Sequence, residues 1–321
     1  MIGSVVFFVL SLLALWGSAE LVIRNIGPLA RAFKVRELVI TLLGISVLSS
    51  LPELMVSALA IARGESDISV GNVIGSNFVT LTFVTALCAM FRPIDIRREV
   101  QERESSWMIL SSTLVLLMSL DGRLSRSDGA ILILAYIPYV LSVMKTARGS
   151  AGYPVAEFAR KRGRLLLPIG LVLLGILGVI ASSKFAHDSG TAIGAAAGIP
   201  AVALGVILFA FGTSLPELAI SLSATFKRKA DVTIGEVYAS NIFTQLVVLG
   251  TCCLISPITV SKAMTTFAMP FLILASVVIQ IFVTTDLKLK RLEAAGLFVF
   301  YAVFVLSQFA DLPSIESVLG F

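Results

Sequence analysis

Long apolar runs, almost free of charge, recur along this chain with short polar breaks between them. About 20 such residues in a helix cross about 30 Å of hydrocarbon. The pattern predicts ten spans, roughly 4–23, 38–62, 70–91, 105–120, 128–144, 165–183, 199–226, 232–254, 264–284 and 292–309. The expected fold is an all-α polytopic membrane protein. The longest polar connection, 145–164, carries Lys145, Arg148, Arg160, Lys161, Arg162 and Arg164. It divides the chain into a first unit, 1–144, and a second, 165–321, with five spans each.

Two stretches break the apolar pattern in the same way. The first begins Ser49-Ser50-Leu51-Pro52-Glu53-Leu54 and continues through Gly71-Asn72-Val73-Ile74-Gly75-Ser76-Asn77 to Thr80. The second begins Thr213-Ser214-Leu215-Pro216-Glu217-Leu218 and continues through Gly235-Glu236-Val237-Tyr238-Ala239-Ser240-Asn241 to Thr244. Glu53 and Glu217 lie 164 residues apart, as do Ser18 and Ser182, Ser57 and Ser221, and Cys88 and Cys252. Farther on the offset is 165, pairing Asp121, Arg126 and Tyr136 with Asp286, Arg291 and Tyr301. An odd number of spans per copy makes the second copy enter the membrane from the opposite side. The expectation is therefore an inverted-topology repeat, whose site would lie where the copies meet near the midplane.

Charge supplies the orientation. Of 25 Lys and Arg, 20 fall in the loops after the odd-numbered spans. Basic loops are cytoplasmic ones, so both termini are expected outside the cell membrane and the 145–164 linker inside. The net charge of +5 is spread over these loops and is no nucleic-acid signal. The first span has no basic residue before it and is expected to be retained rather than cleaved. Glu20 and Lys184 are expected to snorkel near span ends. The mixed-charge connection from Arg97 to Glu104 reads as a solvated face. His187 is the one histidine and is expected in an outside loop, which argues against a zinc protease or a Ser/His dyad. No enzyme and no cofactor are expected, and the three cysteines show no metal spacing.

Acids inside a membrane segment are costly and mark a site by default. Ser49 and Glu53 are four apart and share a helix face, as do Ser76 with Thr80 and Ser240 with Thr244. Pro52 and Pro216, taken as interior to a helix, would free the carbonyls of Leu48 and Gly212. Carboxylates, hydroxyls and carbonyls are hard ligands suited to Ca²⁺ or Na⁺. The bland alternatives are a protonated carboxyl kept for packing, and hydroxyls bonded to their own backbone or to a neighbouring helix. Asn77 and Asn241 are expected on such helix contacts. Glu236 has Asn72 as its counterpart. It reads either as an interfacial acid paired with Lys227, Arg228 or Lys229, or as a third carboxylate on the cytoplasmic route.

On these motifs the whole chain resembles the sodium/calcium exchanger family, in its small prokaryotic form. Gly212 to Glu217 and Gly75-Ser76-Asn77 carry the family's Gly-Thr-Ser-Leu-Pro-Glu and Gly-Ser-Asn patterns. The resemblance implies antiport of Ca²⁺ against Na⁺ by alternating access. Glu53 and Glu217 would bind the ions, with Ser49, Ser50, Thr213, Ser214, Ser76 and Ser240 and the carbonyls near Ser46 and Ala210 supplying oxygens. Spans one and six would slide against the remaining bundle. The partners implied are Ca²⁺, Na⁺ and the lipid bilayer. Leu48-Ser49-Ser50 departs from the family pattern, and Thr80 and Thr244 stand where Asn or Asp is usual. Ca²⁺/H⁺ exchange is therefore the alternative to Na⁺ coupling.

Overall fold

The computed structural model describes residues 2–32, 44–96, 98–149, 166–226 and 230–308. Nearly all of them are helical. In the first half come α1 (Ile2–Ala32), α2 (Ser46–Ser49), α3 (Leu51–Ala62), α4 (Ser66–Phe78), α5 (Thr85–Phe91), α6 (Arg98–Met118) and α7 (Arg126–Gly149). In the second come α8 (Leu166–Ala197), α9 (Ala201–Ala203), α10 (Ala210–Thr213), α11 (Leu215–Phe226), α12 (Ala230–Phe243), α13 (Leu249–Ile255), α14 (Met269–Asp286) and α15 (Arg291–Ser307). Helices occupy the described part of every predicted span. Among the described residues six are long and apolar enough to cross a membrane alone, or seven if the bent pair Ala201–Thr213 and Leu215–Phe226 is one span. The charged start of α6 and the shortness of α15 keep those two out of that group.

The elements repeat as the residues do. Helix α3 recurs as α11 and α5 as α13, residue for residue at the 164 offset. Two short antiparallel ribbons tie the halves together, Ile94–Asp95 with Lys288–Leu289 and Arg123–Leu124 with Ile258–Thr259. Moving the first ribbon's strands to their counterparts reproduces the second, so the pairing obeys the same internal symmetry as the sequence.

Burial sorts the helices into layers. In the segment Ser66–Phe91 83% of the most apolar window is buried, against 28% for α1 and 22% for α8. Segments α4–α5 and α12–α13 are therefore central, while α1 and α8 turn Phe7, Leu10, Leu13, Leu173, Leu174 and Leu177 outward. Apolar side chains facing outward at this density are what a lipid-exposed helix needs. Helices α1 and α8 pack closely on each other because α8 carries glycines at the contact. A Cβ on Gly175 would stand 2.6 Å from Val22, and one on Gly178 would run into Ser18 Oγ. A second close approach brings α4 against the turn 204–209, where a Cβ on Gly75 would stand 2.5 Å from the Val206 carbonyl.

Two expectations need correction. Helix α8 runs to Ala197, well past the predicted end at 183, so His187 is not in a loop. It is wholly buried, stacked on Phe209 with centroids 5.8 Å apart. Its Nδ1 lies 2.8 Å from Arg63, which also pairs with Asp188. Its Nε2 lies 2.6 Å from Glu65 Oε2 but off the line of a hydrogen bond. Glu104 is buried rather than solvated, held by Arg103 and by Tyr139 Oη at 2.7 Å. Glu20, near the end of the apolar stretch of α1, pairs with the exposed Arg24 one turn on, at 2.6 Å, in keeping with its expected place near a span end.

Candidate cation site

Both proline motifs fall at helix breaks. Helix α2 ends at Ser49, Ser50 leaves the helical region at φ −86° and ψ 10°, and α3 restarts at Leu51. Ser214 repeats this with φ −79° and ψ 8° between α10 and α11. Pro52 and Pro216 thus stand in the first turn of a new helix, where a missing N–H costs nothing. The reading of an interior proline that frees the Leu48 carbonyl is corrected by this, since that carbonyl accepts a capping N–H. Glu53 and Glu217 each fall in the first turn after the break, at the positive end of their helix dipole. The carbonyl of Ser46 accepts the hydroxyls of Ser49 at 3.2 Å and Ser50 at 2.9 Å. The Ala210 carbonyl accepts the Ser214 N–H at 3.2 Å and the Thr213 hydroxyl at 3.4 Å.

The breaks of the two halves face each other. Ser50 Oγ donates to Glu217 Oε1 at 3.3 Å, and Ser214 Oγ donates to Glu53 Oε1 at 3.5 Å. Both glutamates are buried, and the second oxygen of each, Oε2, has no hydrogen-bond partner among the described residues. Ser46 Oγ is buried and unpartnered as well. An unpaired buried carboxylate oxygen is expensive, so two related by symmetry are a place for a positive ligand. Among the described residues no three acidic, His or Cys side chains converge as a metal group by themselves. A cation here would complete its shell with hydroxyls and carbonyls, as a hard ion does.

Helices α4 and α12 cross beside the breaks. Ser76 and Ser240 donate to their own helices, to Val73 O at 3.0 Å and Val237 O at 3.1 Å. Thr80 donates to Asn241 Oδ1 and Thr244 to Asn77 Oδ1, both at 2.7 Å. The expectation that the asparagines bond a neighbouring helix is met, and their partners are the two threonines. Both threonines lie in the wide π-turns Val79–Val84 and Thr244–Val248, a backbone form common at functional sites.

Glu236 is where sequence reasoning went furthest astray. It is not at an interface but fully buried, with Ser49 donating to Oε1 and Ser221 to Oε2, each at 3.1 Å. Its expected partners Lys227, Arg228 and Lys229 lie outside the described residues. The broken symmetry with Asn72 was the available signal.

The family model described as sodium/calcium exchanger protein matches residues 3–145 and 167–310. The inner membrane protein YrbG of Escherichia coli is 31% identical over 267 residues, covering 80% of this chain and 81% of its own. The sodium/calcium exchanger MaX1 of Methanosarcina acetivorans is 25% identical over 338 residues, 94% of this chain and 97% of its own. A solved structure of the sodium-calcium exchanger NCX_Mj, soaked in Na⁺ without Ca²⁺, superposes with TM-score 0.71 at 27% identity. It covers 95% of this chain and 98% of that one.

Proposed function

The chain belongs to the sodium/calcium exchanger protein family, and from that premise we propose that it exchanges Ca²⁺ for Na⁺ across the cell membrane. The observation that carries this reading is the pair of buried, unpartnered Oε2 atoms on Glu53 and Glu217, one from each half. The ions are substrates. Ca²⁺ would bind at both carboxylates, with oxygens from Ser50, Ser214, Ser49 and Thr213 and the carbonyls of Ser46 and Ala210. Na⁺ would take overlapping positions in turn, reaching toward Ser76, Ser240, Thr80 and Thr244. Each half offers the same donors, so the site can open first to one side and then to the other.

The ten-span inverted arrangement, with both termini outside, is part of this proposal. Its support is the recurrence of helix, break and helix at an offset of 164 residues and of the ribbon strands at 164 and 165. Helices α1 and α8, paired on each other and flanking the breaks, are the elements that would move.

Radioactive Ca²⁺ uptake into vesicles holding the purified protein tests the function. Uptake driven by an imposed Na⁺ gradient at constant pH is the expected result. Uptake that follows a pH gradient and ignores Na⁺ would replace Na⁺ coupling with proton exchange, and no gradient-driven Ca²⁺ movement would reject both.

A further inference from the structure

One difference between the two halves lies beside the motifs and changes the chemistry of the position. Asn72 on α4 and Glu236 on α12 are counterparts, both wholly buried, in equivalent rings of contacts. Asn72 Oδ1 accepts the Thr213 hydroxyl at 3.2 Å, and Glu236 Oε1 accepts the hydroxyl of Thr213's counterpart, Ser49, at 3.1 Å. On its other side Asn72 Nδ2 donates to Ser57 Oγ at 2.9 Å and to the main-chain carbonyl of Glu53 at 3.3 Å. The second-half equivalents are Ser221 and the main-chain carbonyl of Glu217. Ser221 does reach Glu236 Oε2, but the bond runs the other way, with the hydroxyl donating to the carboxyl oxygen. In the first half the Ser57 hydroxyl points to the Ser69 carbonyl at 3.4 Å. In the second, Thr233, which replaces Ser69, turns its own hydroxyl to the Ser221 carbonyl at 3.3 Å. Nothing in Glu236 replaces the N–H that Asn72 gives to the carbonyl. An acceptor stands where its counterpart has a donor.

Glu236 therefore stands between two hydroxyls, Ser221 of its own half and Ser49 of the first, with no nitrogen donor to it among the described residues. Among the described residues no Lys or Arg pairs with Glu236. The Glu217 carboxylate acts on it electrostatically and has its own Oε2 unpartnered. With all three acids ionised, Ca²⁺ at Glu53 and Glu217 leaves one negative charge buried. A buried charge without a partner costs several kcal/mol. One carboxylate among neutral oxygens suits a singly charged ion, since a divalent ion gathers about 6–8 oxygens and more carboxylates.

We propose that Glu236, Ser221, the main-chain carbonyl of Glu217 and Ser49 from the first half form an alkali-cation site with no equivalent around Asn72, filled together with the Ca²⁺ site. The simultaneous filling rests on the exchange reading above, while the site itself does not.

The test uses purified full-length protein in choline chloride, titrated with Na⁺, K⁺ and Li⁺ and followed by thermal melting. In a Glu53→Gln/Glu217→Gln background, at least one alkali ion should still raise the melting temperature saturably. Adding Glu236→Asn should weaken that response at least about tenfold in half-saturating concentration, and Ser221→Ala should weaken it less. An alkali response unchanged by Glu236→Asn overturns the site. A wild type whose Ca²⁺ response equals that of the Glu53→Gln/Glu217→Gln protein instead rejects Ca²⁺ binding at those glutamates and leaves the alkali site standing. Should the multiple variants fail to fold, equilibrium dialysis with radioactive Na⁺ or Rb⁺ decides the matter. With Ca²⁺ saturating, wild type should retain about one alkali ion per chain more than Glu236→Asn does, and equal retention overturns the proposal.

Discussion

At the scale of single residues, the site reduces to charge and to who donates to whom. Replacing Glu53 or Glu217 by Gln removes one of the two carboxyl groups assigned above to the proposed Ca²⁺ site and adds an N–H donor there. Each change is expected to lower Ca²⁺ flux in vesicles at least about a hundredfold, on the scale of a lost buried charge partner. The protein should still melt cooperatively, because Gln keeps the volume. Wild-type-like flux in either variant would remove the central claim. The Thr80–Asn241 and Thr244–Asn77 bonds are equal in length, so Thr80→Val and Thr244→Val should cost similar stability, about 1 kcal/mol each. A melting series reads this, and a cost confined to one threonine would show that the halves are not equivalent there. Most of these residues were legible in the sequence, because an acid or a hydroxyl cluster in an apolar run is conspicuous. What the sequence does not carry is the pairing. Nothing in the spacing says that Thr80 would bond Asn241, or that Glu236 would reach Ser49 in the other half.

At the scale of elements, the helix breaks and the glycine contacts set the positions. A proline in an apolar run reads equally as a kink or as the first turn of a new helix. The choice depends on whether the preceding residue leaves the helical region, as Ser50 and Ser214 do. That outcome places both glutamates at helix starts, which composition could not foresee. The end of α8 was misjudged for a related reason. Serines, His187 and Asp188 look like a loop on paper, yet Ser182, Ser183 and Ser189 return their hydroxyls to carbonyls one turn back. Those bonds hide their polarity inside the helix. Close approach is the other device at this scale. A side chain at Gly75 would run into the Val206 carbonyl, which is backbone and cannot turn aside. Gly75→Val is expected to cost about 1–3 kcal/mol or more, as overpacking does. Gly3, with open space around it, should accept the same change within about 0.5 kcal/mol. A melting temperature for Gly75→Val equal to that of Gly3→Val would contradict the contact.

At the scale of the whole molecule, the chain reads as a central bundle with α1 and α8 laid against it. The pair is tied at one end by a charged knot. Arg63, closing α3, pairs with Asp188 on α8 and lies against His187, whose other face meets Glu65 at the start of α4. This knot links α8 to the turn between the first half's motif helices, while Phe8 of α1 packs on Phe209 beside it. If α1 and α8 slide as a unit during exchange, the knot must loosen once per cycle. A partly exposed ion pair contributes about 0–1 kcal/mol, small enough to release. A covalent link in its place would not be. Cysteines at Arg63 and Asp188, joined by a short cleavable thiol-to-thiol reagent, are therefore expected to stop Ca²⁺ exchange, and cleaving the link should restore it. The native Cys88, Cys252 and Cys253 are buried, so the unsubstituted protein treated with the reagent is the control. Exchange at an undiminished rate with the link demonstrably in place would mean that α8 and the α3–α4 turn travel together. The sliding elements would then have to be sought elsewhere in the bundle.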